Sequence, residues 1–208
     1  MIKNLLSACA LIVLSGCSVF GIQGEEQPRY KTKLQDGKFE LRKYDDMIIA
    51  RTTVSAQEFK DSNNKAFRRL AGYIFGKNTK NAKIAMTSPV VVEPEDSEKI
   101  SMTSPVFIKR GTNYQTMYFV MPSKYNLKTL PRPLDKKVVI TKKPGQKMAT
   151  IRFSGLFSKD KMDKKTAELK KWMKKNKLYA KAGPVYAGYN PPWTIPVFRR
   201  NEVLIEVK

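Results

Sequence analysis

At 208 residues the chain has room for one domain, or for one built from two similar halves, and its 41% apolar content can supply a core. Lys and Arg outnumber Asp and Glu by 40 to 18, a net charge of +22, which points to anionic partners (a lipid surface, a nucleic acid or an acidic ligand) or to a solvated lysine-rich skin. There is no His, so the commonest general base, zinc ligand and proximal haem ligand are missing and Ser-His-Asp or Cys-His catalysis is excluded.

In chain order, Lys3 gives a short positive start and Leu5 to Leu14 an apolar run too brief to span a bilayer. Leu14-Ser15-Gly16-Cys17 follows and resembles the lipobox of bacterial lipoproteins. The resemblance implies cleavage before Cys17 and lipidation of Cys17. Ser18 then implies the outer membrane, with the domain facing the periplasm. On this reading residues 1–16 are a signal peptide, 17–29 the lipidated cysteine and a tether, and 30–208 the folded domain. Cys9 leaves with the signal, so no thiol remains for a disulfide or a nucleophile. An envelope location argues against nucleic acid as the partner of the basic charge.

Phe39 to Tyr44 alternates apolar and polar and predicts a strand; Asp45-Asp46 predicts a turn and Met47 to Val54 a second strand, so a hairpin. Ser55-Ala-Gln-Glu58 has the pattern of a capping box, and a helix follows with Phe59, Ala66, Phe67, Leu70 and Ile74 on one face, ended by Gly76. Lys83-Ile-Ala-Met-Thr-Ser-Pro-Val90 then recurs as Lys99-Ile-Ser-Met-Thr-Ser-Pro-Val106. Each copy starts as a strand and ends at a Pro, with the acidic turn Glu93 to Glu98 between them. Gln115 to Met121 predicts a further strand.

The second half repeats the plan. Lys137 to Thr141 and Met148 to Phe153 predict strands around a Pro144-Gly145 turn. Lys159 to Lys175 predicts a helix with Met162, Thr166, Leu169, Trp172 and Met173 on one stripe. A Pro-rich excursion from Gly183 to Pro196 precedes a last strand, Glu202 to Val207. Two such halves predict a pseudo-twofold α+β fold of two antiparallel sheets, each with a helix. The second helix region carries ten Lys between Lys159 and Lys181. They form a solvated face or a face for anionic lipid head groups.

Two Ser-x-x-Lys matches, Ser62 to Lys65 and Ser158 to Lys161, lack the companion motifs that catalysis needs. No Gly-rich phosphate loop is present, and the acidic turn lacks calcium-loop spacing. An enzyme is therefore not expected.

Several blocks together carry a family resemblance: Phe67 to Gly76 (FRRLAGYIFG), the Met-Thr-Ser-Pro repeats, Tyr118 to Tyr125 (YFVMPSKY), Leu130 to Pro133 (LPRP), Ile151 to Gly155 (IRFSG), and Tyr189 to Trp193 with Arg199 to Val203. From about Tyr30 onward the chain resembles the SOUL haem-binding protein family. The resemblance implies a distorted β-barrel of two antiparallel sheets flanked by two helices, and binding of haem or another tetrapyrrole without catalysis. A His ligand to iron is impossible here. Affinity would come from an apolar cleft and from cations for the propionates. The first helix and the loop after it supply Phe67, Leu70 and Ile74 as apolar wall, Arg68, Arg69 and Lys77 as propionate partners, and Tyr73 as a polar tip. Met86 and Met102 are matching thioethers that touch iron or simply pack. A monomer is expected. The alternative is an outer-membrane scaffold that binds lipid or a partner protein without haem.

Overall fold

The computed structural model describes residues 26–55, 59–80, 84, 90–94, 114–190 and 193–208. The strands are β1 (Tyr30–Asp36), β2 (Phe39–Tyr44), β3 (Met47–Ser55), β4 (Val90–Pro94), β5 (Tyr114–Val120), β6 (Val139–Lys143), β7 (Lys147–Phe153), β8 (Ala180–Gly188) and β9 (Asn201–Val207). The helices are α1 (Phe59–Ile74) and α2 (Lys159–Lys175), with a single 3-10 turn at Pro196–Phe198. The second Met-Thr-Ser-Pro copy, most of the first, and Ala56 to Glu58 of the capping box lie outside the described residues.

All the strand pairings are antiparallel and run in the order β1-β2-β7-β9-β8-β4-β5-β3-β6. Two groups are visible in that order. β2-β7-β9-β8 and β6-β3-β5-β4 become equivalent if β2 is matched to β6, β3 to β7, β4 to β8 and β5 to β9. The groups meet along β4 and β8, where Val90, Val91 and Val92 face Gly188, Ala187 and Tyr186. The expected α+β fold of two similar halves is therefore present. The barrel does not close: β1 and β6 end the order and are not paired with each other.

The two expected hairpins are corrected by this topology. β2 does not pair with β3, nor β6 with β7. Instead β2 pairs with β7 and β3 with β6, so each half lends its first strand to the other. The two turns sit against each other at the crossing. Tyr44 N–H donates to Gln146 O at 2.9 Å, and Gly145 N–H to Asp46 Oδ1 at 2.9 Å. Lys142 pairs with Asp46 at 2.6 Å. A Cβ on Gly145 would overlap the Tyr44 carbonyl oxygen, so glycine is required there for backbone approach. Short-range alternation reads each strand correctly but not its partner, because adjacency in sequence is only one way to satisfy an edge.

Two further differences have local causes. β1 is almost wholly exposed and lacks apolar alternation; its sign is the Asp36-Gly37 pair, with Gly37 at φ 55 in a two-residue loop. The excursion expected from Gly183 is instead largely β8, which tolerates Pro184 at an irregularity between Ala180 and Pro184.

Alternation in the strands divides the interior. Ala50, Phe119, Ile151, Val203 and Ile205 face the helices and pack on Leu70 and Ile74 of α1 and Met162, Leu169 and Trp172 of α2. Their neighbours Tyr118, Val120, Met148 and Leu204 point the other way and form a second core with Tyr44, Val185 and Ala187. The α2 stripe is buried at all five expected positions.

Candidate ligand-binding cleft

Helix α1 buries Ala66, Leu70, Tyr73 and Ile74, which leaves Lys65, Arg68 and Arg69 for its outer side. Gly76, at φ 117, ends the helix. The chain then folds back, with Lys77 N–H donating to Gly72 O at 2.9 Å and Asn78 Nδ2 to Tyr73 O at 3.0 Å. Gly72 has a steric role here: a Cβ on it would stand 3.1 Å from Lys77 Cδ. Its absence lets the Lys77 stem lie along the helix. The 130–135 segment is tied to the same end, through Leu134 N–H to Lys77 O at 3.2 Å and Thr79 N–H to Arg132 O at 2.9 Å.

These three pieces enclose a cleft of about 490 Å³ lined by Lys65, Arg68, Arg69, Tyr73, Lys77, Leu134 and Asp135, within the size range of small-molecule sites. Four cations face one carboxylate, whose Oδ1 accepts from Lys137 N–H at 2.8 Å and whose contact with the cations is loose, with Arg69 Nε 3.7 Å from Asp135 Oδ2. The Tyr73 hydroxyl is turned inward and donates to Pro131 O at 2.9 Å. Burial, then the nearby Tyr125, pushes its pKa up to about 12, so it stays protonated at neutral pH and is a poor anionic metal ligand. Among the described residues no group of three or more His, Cys, Asp or Glu is placed to hold a metal ion. The donor set suits carboxylates or phosphates rather than a metal.

The expected site residues divide. Arg68, Arg69, Tyr73 and Lys77 come together in the cleft. Leu70 and Ile74 do not form its wall, since both are 0% exposed in the core; the helical face that they share with Ala66 is the one turned to the sheet. Phe67 is 36% exposed and meets Phe119 edge-on at 5.6 Å. Leu134 supplies the apolar lining that the sequence reading assigned to these three. Met86, Met102 and Cys17 lie outside the described residues. The other apolar space, in the second core, has a volume of only about 40 Å³, room for water but not for a drug-sized ligand.

A second charged constellation is absent from the sequence reading. Arg42 donates to both Glu202 oxygens, at 2.7 and 3.1 Å, and to Glu40 at 2.8 Å. Arg200 Nη2 and the Tyr189 hydroxyl also donate to Glu202, each at 2.7 Å. Arg42 and Glu202 are essentially unexposed. The guanidiniums of Arg42 and Arg200 lie over the rings of Tyr30 and Tyr189 at 4.5 and 3.9 Å. Burial alone would raise the Glu202 carboxyl; hydrogen bonds and charge from Arg42, the Arg200 charge and the Tyr189 hydroxyl outweigh it and hold the carboxyl below its ordinary value. The available signal was opposite charge at period two, in Glu40/Arg42 and again in Arg200/Glu202.

A model of the SOUL heme-binding protein family matches residues 25–206. Heme-binding protein 1 of Xenopus laevis is 27% identical over 184 residues, 88% of this chain and 91% of its own length. Heme-binding protein 2 of Homo sapiens is 28% identical over 172 residues, 81% and 78% of the two chains. Among solved structures, the EcmrR C-terminal domain superposes with a TM-score of 0.59 at 12% identity, covering 86% of this chain and 98% of that one. At that identity the likeness is one of fold.

Proposed function

Because the chain belongs to the SOUL heme-binding protein family, we propose that it binds a tetrapyrrole, haem or a close analogue, in the cationic cleft at the end of α1, without catalysis. The observation that carries the reading is the set of four cations, Lys65, Arg68, Arg69 and Lys77, around a cleft of about 490 Å³. Guanidinium and ammonium groups hold carboxylates by charge-assisted hydrogen bonds. Leu134 offers apolar contact to a flat ring. Haem would bring redox-active iron, but these residues recognise the acidic edge of the ligand and not its metal.

That assignment has a direct test. Purified protein is titrated with hemin and, separately, with metal-free protoporphyrin. Both are expected to give saturable Soret changes at one site with similar affinity, well above that of an unrelated basic protein. Arg69→Glu is expected to weaken both at least about tenfold, as one charge-assisted contact is lost and repulsion added. Hemin binding that leaves protoporphyrin unbound would overturn carboxylate-led recognition, and binding no better than the basic control would overturn the tetrapyrrole reading.

We also propose that the domain is held at the outer membrane by acylation of Cys17, facing the periplasm. Support comes from the run Leu14 to Cys17 behind its apolar segment. Labelled palmitate should enter the wild-type protein in cells and not the Cys17→Ser variant.

A further inference from the structure

The loop before β9 is braced from within yet displays its apolar groups. Gly155 N–H donates to Pro196 O at 2.8 Å, and Asn201 Nδ2 to Gly155 O at 2.9 Å. Arg199 Nε donates to Thr194 O at 2.7 Å, and Thr194 itself is fully buried. The 3-10 turn at Pro196–Phe198 nevertheless holds its side chains outward. Val197 and Trp193 are each 65% exposed, Phe198 is 48%, and Leu156, beside the Gly155 contact, is 59%. A braced backbone that exposes Val197 and Phe198 at one cleft, with Trp193 exposed four residues earlier and Leu156 next to the Gly155 contact, marks an interaction site rather than a loose end.

The surroundings specify the partner. Val197 and Phe198 form one wall of a second cleft, of about 370 Å³, whose other lining includes Lys38, Arg152, Arg199 and Arg200. Glu40 also lines it but is committed to Arg42, and Arg200 is committed to Glu202. Lys161 adds a further amine beside Gly155. The first turn of the lysine-rich α2 is therefore continuous with this patch. Trp, Phe and Leu flanked by cations match the boundary of an anionic bilayer, where aromatic rings sit at headgroup depth and Lys and Arg meet the phosphates.

We infer that this patch docks on anionic lipid. Trp193, Val197, Phe198 and Leu156 enter the interface, and Arg152 at the 370 Å³ cleft and Lys161 beside Gly155 take headgroup phosphates. The surface is separate from the α1 cleft and stands whether or not a tetrapyrrole binds there.

The chain's own tryptophans make the test specific. There are two: Trp172 is buried with its indole donating to Asp36 at 2.9 Å, and Trp193 is in the patch. The full chain is placed in vesicles of phosphatidylcholine alone or of an equimolar mixture with phosphatidylglycerol. Trp193 emission is expected to shift to the blue and to be quenched by lipid brominated in the upper acyl chain, in the mixed vesicles and not in the neutral ones. Trp193→Phe should abolish the response. Val197→Asp should reduce it strongly, and Arg152→Glu at least about fivefold, the weight of one cation at an anionic surface. Both positions are exposed, so neither change disturbs the core. Equal responses in the two vesicles, no response in either, or an undiminished response in both variants would overturn the proposal. A shift produced by soluble glycerol phosphate alone would overturn the bilayer as the source of the phosphate.

Discussion

The chain uses arginine in two opposite ways. Arg42 and Arg200 lie in the sheet, tied to Glu202 by short hydrogen bonds and capped by tyrosine rings. Arg68 and Arg69 line an open cleft whose one carboxylate stands 3.7 Å from Arg69. Burial sets Arg42 apart, while Arg200 and Arg69, with 13% and 17% of the side chain exposed, differ in how closely a carboxylate answers them. A guanidinium out of water needs a full set of acceptors, so the first pair is saturated and structural. A guanidinium at the surface keeps its water, and an incoming anion can replace that water at little cost. The number of cations therefore says little about where a ligand binds; how completely each is already answered says more.

This contrast can be broken from either side. The largest effect is expected for Glu202→Gln, which keeps the shape but removes the charge that Arg42 and Arg200 share, leaving Arg42 only Glu40. About 3–5 kcal/mol of stability should be lost in urea unfolding; a loss below about 1 kcal/mol would show that the cluster is not structural. Arg68→Glu, at an exposed position of the cleft, should do the reverse, leaving the unfolding midpoint within about 0.5 kcal/mol while weakening tetrapyrrole binding. Acid sharpens the same division. Glu202 is held below its ordinary value, and Glu168 is lowered to about 2 by Lys165 and Lys38. Both pKa values are depressed on folding, so the stability they add is present above the unfolded carboxylate value of about 4.3 and is lost as pH falls through the folded values. Urea midpoints should be flat from neutral pH down to about 5 and fall below about 4, with a shallower fall in Glu202→Gln. The smallest effect is expected for Asp135→Asn. Removing an exposed partner worth under about 1 kcal/mol frees Arg69 and should tighten tetrapyrrole binding by a few-fold, read in the same Soret titration.

Much of this was legible in the sequence. Helix α2 runs from Lys159 to Lys175 as its periodicity predicts, and Met162, Thr166, Leu169, Trp172 and Met173 are all buried. Arg68, Arg69, Tyr73 and Lys77 share a cleft as expected. Two of the differences share an origin in nearness along the chain. Leu70 and Ile74 neighbour the cations of the cleft along the chain, yet on a helix such neighbours point to different sides, and both are buried. β2 and β3 are consecutive, which suggests a hairpin, whereas each pairs across to the other half.

The sequence by itself determined both helices and most of the strands, the doubled plan, the absence of His from the site chemistry and the family. These depend on local periodicity and composition, which survive without knowledge of partners. Only the tertiary structure decided which cations are spent on Glu202, which are left to an anion, and that Val197 and Phe198 stand on the surface beside Arg152. Those outcomes depend on burial, and burial is set by the exchange of strands between the halves, which brings residues as far apart as Arg42 and Glu202 into one desolvated site.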